Sequence, residues 1–172
     1  GQMMEPVEIK VRPKRDLPEK TWAANGHENK RPHNIVNSLY LTPGDLEALV
    51  VERFKRYDVI KSKEQRSESY MADDAEIVVV AYGASSRVCK SAVKAARAEG
   101  IKAGLIRPIT LWPFPADAMQ AAAKTAKQFL AVEMSMGQMV DDVRLAVNGA
   151  VPVGFFGHTG GIIPSPAEVL GE

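Results

Sequence analysis

The sequence predicts an α/β fold of three layers, a mostly parallel sheet with helices on both faces, preceded by an extended N-terminal arm. Three observations carry that reading. Glu76–Val88 opens with an apolar, β-rich run, stops at Gly83 with two serines behind it, and passes into a helical pattern. An unbroken apolar run bounded by glycine marks a strand buried on both faces, as parallel sheets require. From there strand-like and helix-like segments alternate, the order that builds a helix-flanked sheet. Residues 1–41, by contrast, carry Pro6, Pro13, Pro18 and Pro32, scattered charges and almost no sustained periodicity. They read as an arm or connector, with residues 42–172 as the α/β domain.

Each element has its own signal. Val7, Ile9 and Val11 alternate with charged residues and predict one short edge strand. Trp22, Ile35, Val36, Leu39 and Tyr40 are too apolar for a free linker and predict packing on a neighbour. Thr42-Pro43-Gly44-Asp45 is a helix start, with a capping threonine, a proline at the first helical position and an early acid. Leu46, Leu49, Val50, Phe54 and Tyr57 follow as one apolar stripe, and the polar Lys61–Glu68 run reads as its exposed continuation. Strands are expected over Glu76–Ala81, Ala103–Arg107, Phe129–Glu133 and Pro152–Phe156. Helices are expected over Ser85–Glu99, Ala116–Thr125 and Gly137–Val147, with a final turn at Pro166–Leu170. Three prolines within Arg107–Pro115 forbid a central strand or helix there and predict a rigid apolar loop.

Bulk composition excludes several classes. The 172 residues suffice for one domain with a core, or a domain plus a tail. Net charge is +1 from 22 basic and 21 acidic residues, so no long-range field recruits nucleic acid or anionic lipid. No apolar run approaches the ~20 residues needed to cross a bilayer, and the first residues lack the pattern of a secretory signal. Cys89 is the only cysteine, which excludes an internal disulfide or a cysteine-held metal site and suits a reducing cytoplasm. Gly1-Gln2 ahead of a Met-Met pair suggests a start inside a longer protein.

Candidate chemistry gathers at the expected carboxyl edge of the sheet, where open α/β folds meet ligands. Gly83, Ser85 and Ser86 open a helix whose amides could hold a phosphate or carboxylate; a serine-capped tight turn is the plainer reading. Neither the dinucleotide glycine spacing nor a Walker lysine accompanies them. Glu133 closes a strand and is placed for acid–base work, for capping the next helix, or for a subunit contact, with Gly137 and Gln138 beside it. His158 and Gly160 lie in a glycine-rich loop, where a histidine serves as acid, base or hydrogen-bonded loop residue. A hydrolase built on Ser85 or Ser86 with His158 lacks the Gly-x-Ser-x-Gly elbow. His27 and His33 have no ligand spacing, and the pairs Asp73-Asp74 and Asp141-Asp142 lack further oxygen ligands for calcium. No residue here is assigned a catalytic or metal-binding role.

Several separated motifs then converge. Asp73–Gly83, Gly104–Pro115, Val132-Glu133 with Gly137-Gln138, and Gly157–Pro164 resemble the transketolase C-terminal domain as found in the alpha subunit of 2-oxoacid:ferredoxin oxidoreductases. Gly1–Val7 is similar to the end of that subunit's pyrimidine-binding domain. Gly26–Pro32 and Asn37–Tyr40 resemble the connector between the domains. Among members the chain looks most like the 2-oxoisovalerate, or branched-chain, type. The resemblance implies a complex in which thiamine diphosphate, iron–sulfur clusters and coenzyme A convert a 2-oxoacid to an acyl-CoA while ferredoxin is reduced. It implies sister subunits and the rest of the alpha subunit as partners. It leaves this chain a structural and assembly role, inactive alone and binding no cofactor itself. A coenzyme A- or nucleotide-binding module is the alternative, with the loops of Gly83, Ser85, Ser86, Glu133, Gly137, Gln138, His158 and Gly160 converging on the ligand.

Overall fold

A computed structural model describes residues 8–172. These form two compact units, one ending at Lys55 and the other running Arg56–Glu172. In the first, Arg31 Nη2 donates to the carbonyl of Ala23 at 3.3 Å, Asn34 Nδ2 donates to the same carbonyl at 3.0 Å, and the His27 and His33 rings meet edge-on. Val7 lies outside the described residues. Ile9 and Val11 are in irregular chain and almost fully exposed, so the expected edge strand is not present there. Trp22, Ile35, Val36, Leu39 and Tyr40 are also exposed in the single chain.

Helix α1 spans Pro43–Lys63, starting where the Thr-Pro-Gly-Asp signal places it. None of its residues is buried; Leu49 and Tyr57 of its stripe are half-buried and Leu46, Val50 and Phe54 are exposed. The helix does not run on to Glu68. Strand β1, Ser67–Tyr70, takes over and pairs antiparallel with β3, Ala103–Pro108, in the register Ser67↔Pro108 to Tyr70↔Leu105. Its sequence Ser-Glu-Ser-Tyr has no strand period of its own. The ladder bonds from β3 impose the extended form.

The other strands fall close to their expected places. β2 is Ile77–Val80, β4 is Gln128–Glu133 and β5 is Val153–Gly157; with β3 they form a parallel set in a sheet of order β1-β3-β2-β4-β5. Helix α2, Gly83–Ala98, links β2 to β3; α3, Ala116–Ala122, links β3 to β4; α4, Met139–Val147, links β4 to β5; α5, Pro166–Leu170, ends the chain. Helix α3 stops three residues earlier than expected, and α4 starts two residues later. At its far end α4 closes on Asn148 in the left-handed region, whose N–H donates to the Arg144 carbonyl.

Side-chain alternation along the strands builds two cores. Val78, Val80, Ile106, Phe129 and Ala131 pack with Met119 of α3 and Met139, Val140 and Val143 of α4. Val79, Ala81, Leu105 and Val132 turn to the other face and meet Val88, Cys89, Ala92 and Val93 of α2 and Val169 of α5. Each fully buried apolar side chain of this size contributes about 1.5–3 kcal/mol. The layered helix–sheet–helix order predicted from the alternation is the one found.

Candidate functional site at the carboxyl edge of the sheet

From β2 the chain crosses by α2 to β3 on one side; from β3 it returns past β2 to β4 on the other. The strand order therefore reverses between β2 and β4, and α2 and α4 leave the carboxyl ends of those strands on opposite faces. Such a switch point forms a crevice between two helix starts. Gly83, Ser85 and Ser86 stand at one start, and Glu133, Gly137 and Gln138 at the other.

Glu133 is the end residue of β4 and is 2 % exposed. Its Oε1 accepts from Val140 N–H at 2.9 Å. Its Oε2 accepts from Met139 N–H at 2.9 Å, from Gln138 N–H at 3.1 Å and from the Ser135 hydroxyl at 3.2 Å. The Ser135 oxygen in turn accepts from Gly137 N–H at 3.1 Å. A buried carboxylate without a cationic partner is costly unless its lone pairs are filled. Here the unsatisfied amides and positive end of α4 fill them. Of the alternatives open for Glu133, capping the next helix is what the geometry displays. Asp142, one turn into α4, has its carboxyl pushed above the usual range by burial, then by the neighbouring charges of Asp141 and Glu133.

At the start of α2, Gly83 adopts φ +58°, and Ser86 donates from its hydroxyl to the Gly83 carbonyl at 2.7 Å. No side chain caps this helix. Ser85 and Ser86 are both 4 % exposed, and the Ser85 hydroxyl has no hydrogen-bond partner among the described residues.

His158 follows β5, and its N–H donates to the Glu133 carbonyl at 3.2 Å. Its ring turns elsewhere, edge-on to Phe156 with Nε2 3.4 Å from Oε1 of Glu168. That approach is close enough for an ion pair when the ring is protonated but is not a directed hydrogen bond. Glu168 belongs to the capping box of α5: Ser165 N–H and hydroxyl donate to Oε2 at 2.7 and 2.6 Å, and Glu168 N–H returns to the Ser165 hydroxyl at 3.2 Å. Those two Ser165 donors, with His158 a lesser influence, hold the Glu168 carboxyl below its ordinary value. No serine–histidine pair forms, because Ser86 donates to the backbone and His158 faces a glutamate.

The fold thus joins Glu133, Gly137, Gln138 and the His158 backbone at the ends of β4 and β5, with Gly83, Ser85 and Ser86 at the start of α2, which follows neighbouring β2. Gly157 permits the closeness. A Cβ there would lie 2.7 Å from the Ser135 carbonyl and 2.9 Å from that of Glu133. Gly160 stands apart in the exposed Thr159–Ile162 turn. Sequence reasoning missed Ser135, Ser165 and Glu168 as site neighbours. For the last two a signal existed, since Ser165-Pro166-Ala167-Glu168 has the spacing of a capping box.

Other chemistry is sparse. Cys89 is fully buried and burial pushes its thiol up to about 12, the mark of an inert structural cysteine. A cavity of about 290 Å³ lies at the opposite, amino end of the strands, lined by apolar side chains such as Val93, Ile101, Leu130 and Val169. Among the described residues no group of three or more histidines, cysteines or acids could hold a metal ion. None of their helices is long and apolar enough to cross a membrane.

Residues 75–169 match the family model of pyruvate:ferredoxin oxidoreductase core domain II. The chain belongs to that family. It is 43% identical over 170 residues to the ketoisovalerate oxidoreductase subunit VorB of Methanothermobacter thermautotrophicus, covering 99% of this chain and 48% of that one. This core domain II chain therefore spans about half the length of the relatives it matches. In solved structures it is similar to the 2-oxoglutarate:ferredoxin oxidoreductase from Magnetococcus marinus, at TM-score 0.60 and 18% identity over 77% of this chain and 23% of that one. It is also similar to a split-gene transketolase, at TM-score 0.51 and 17% identity over 62% and 39%. At those identities the two structures speak to the fold alone. The resemblance read from the motifs and the transketolase-like architecture it implied both hold.

Proposed function

We propose that this chain is the structural and assembly domain of the alpha subunit of a thiamine diphosphate-dependent 2-oxoacid:ferredoxin oxidoreductase, and is not catalytic alone. The whole enzyme would oxidatively decarboxylate a 2-oxoacid, 2-oxoisovalerate by the likeness to VorB, to an acyl-CoA with reduction of ferredoxin in the cytoplasm. In this reading residues 42–172 form the assembly domain and 1–41 the connector to the rest of the subunit. Sister subunits and ferredoxin are the partners.

One observation carries the proposal. The most elaborate polar cluster of the domain, around Glu133, spends its donors and acceptors on α4 itself. A carboxylate saturated by backbone amides has no lone pair in position to take a substrate proton. The donor set does not fit an iron–sulfur cluster either, since the one cysteine is enclosed in a core. The purified chain, given 2-oxoisovalerate, thiamine diphosphate, coenzyme A and an artificial electron acceptor, is expected to show no turnover; turnover would overturn the proposal.

A second reading, a coenzyme A- or nucleotide-binding module, draws on the uncapped start of α2, where the Ser85 hydroxyl is not committed to another group of the domain. There Gly83, Ser85 and Ser86 would hold a phosphate, while the backbone N–H of Gln138 is already committed to Glu133. Calorimetric titration with coenzyme A separates the two. Micromolar binding that Ser85→Ala weakens favours the module, and no heat at millimolar ligand favours the scaffold.

A further inference from the structure

Helix α5 has five residues and follows β5 through the Thr159–Ile162 turn, in which Gly160 and Gly161 both take positive φ. A helix of that length does not hold itself together in water, so its order comes from what it touches. Val169 attaches it to the domain by burial against α2 in the second core. Glu168 supplies another attachment by reaching back to His158. The His158 backbone is a fixed platform, since its N–H is bonded to the Glu133 carbonyl at the end of β4.

The attachment through His158 is incomplete. Its Nε2 is enclosed and has no hydrogen-bond partner among the described residues, although Oε1 of Glu168 lies 3.4 Å away. The Ser165 donors occupy Oε2, which leaves Oε1 to the ring. A neutral ring offers that anion a lone pair or an undirected N–H. A protonated ring offers it a positive charge, in a place where the imidazole is only 27% exposed. Glu133, the acid nearest along the strand ends, gives its carboxylate to the amides of α4. On α2, Lys90 turns to Glu68 and Arg97 to Asp74. Glu172, past the end of α5, lines the cavity at the amino end of the strands. The cation that acts on the Glu168 carboxyl is the His158 ring.

We propose that His158 is a proton-operated latch for α5: protonation of its ring draws in Glu168 and seats the helix on the domain, and loss of the proton releases that attachment. Free imidazole titrates at about 6.5, so the device works near neutral pH. Glu168 is held below its ordinary 4.5 and stays ionised throughout that range. The attraction is therefore full while the ring is charged and is lost as pH rises through the titration of the ring. Val169 and Leu170 also wall the apolar cavity at the amino end of the strands. The latch thus governs how firmly that wall is held.

Amide exchange of the 172-residue chain between about pH 5.5 and about pH 8 tests this, with each rate divided by its intrinsic value at that pH. The Val169 and Gly171 amides, bonded to the Ser165 and Ala167 carbonyls, report on α5. Their protection is expected to be roughly threefold greater at the acid end, the size of a part-exposed ion pair. His158→Gln and Glu168→Gln are each expected to abolish that difference. Glutamine at position 168 still suits a capping box, so the second variant keeps the helix start. His27 and His33, the other histidines, belong to the first unit and titrate unchanged in both variants. Protection of α5 that stays the same across the range overturns the proposal. So does a pH response that survives His158→Gln.

Discussion

Two helix starts stand at the strand reversal and meet the same physical problem differently. At α4 the protein supplies its own anion, since Glu133 reaches from the end of β4 and takes the amides of Gln138, Met139 and Val140. At α2 no side chain reaches the first turn, and the nearest hydroxyls either bond back to Gly83 or have no partner among the described residues. The difference teaches that a carboxylate at a strand's carboxyl end is not in itself a sign of catalysis. What its oxygens accept decides its role.

The largest effect is expected from Glu133→Ala. Three amides, those of Met139 and Val140 buried, and the Ser135 hydroxyl lose their acceptor, and the loss is expected to cost about 3–5 kcal/mol, read from denaturant midpoints. Ser86→Ala at the other helix removes one hydroxyl bond to the Gly83 carbonyl and is expected to cost about 1 kcal/mol in the same measurement. If the two substitutions cost the same, the contrast between the starts is broken.

A third helix start sharpens the comparison through pH. The Glu168 carboxyl is held below its ordinary 4.5, chiefly by the Ser165 hydroxyl and amide. A carboxylate whose folded value is depressed favours the fold above its unfolded value. That contribution is lost as pH falls through the folded value. Glu168→Gln is therefore expected to lower stability slightly at pH 7 and to flatten its decline below about pH 4.5, followed by thermal melts across the acid range. The smallest change is expected from Ser85→Ala, within about 0.5 kcal/mol, because the hydroxyl has no partner to lose.

The parallel strands and their helices were legible in the sequence because burial on both faces leaves long apolar runs such as Ile77–Val80. Strand β1 was not legible. Ser-Glu-Ser-Tyr carries no pattern, and its extended form comes from the ladder of β3, thirty-odd residues away. The stripe on α1 was read correctly as helical, but none of its residues is buried in the described structure, and periodicity does not say against what a face packs. At the site, residue types located Glu133 and the serines but left their roles open. The role of Glu133 depends on which amides lie within hydrogen-bond reach, a property of the turn Met134–Gln138 rather than of any single residue. Glu133, Gly137 and the His158 backbone lie together at the ends of β4 and β5, whereas Gly160 makes only its own exposed turn.

Cys89 carries a practical consequence. It is the chain's single sulfhydryl, sealed beneath α2, with its thiolate suppressed at any physiological pH. An alkylating reagent can modify it only when the domain opens, so the rate of labelling counts opening events directly. Nature has left in this domain a clock for its own unfolding, readable by mass without any engineered probe.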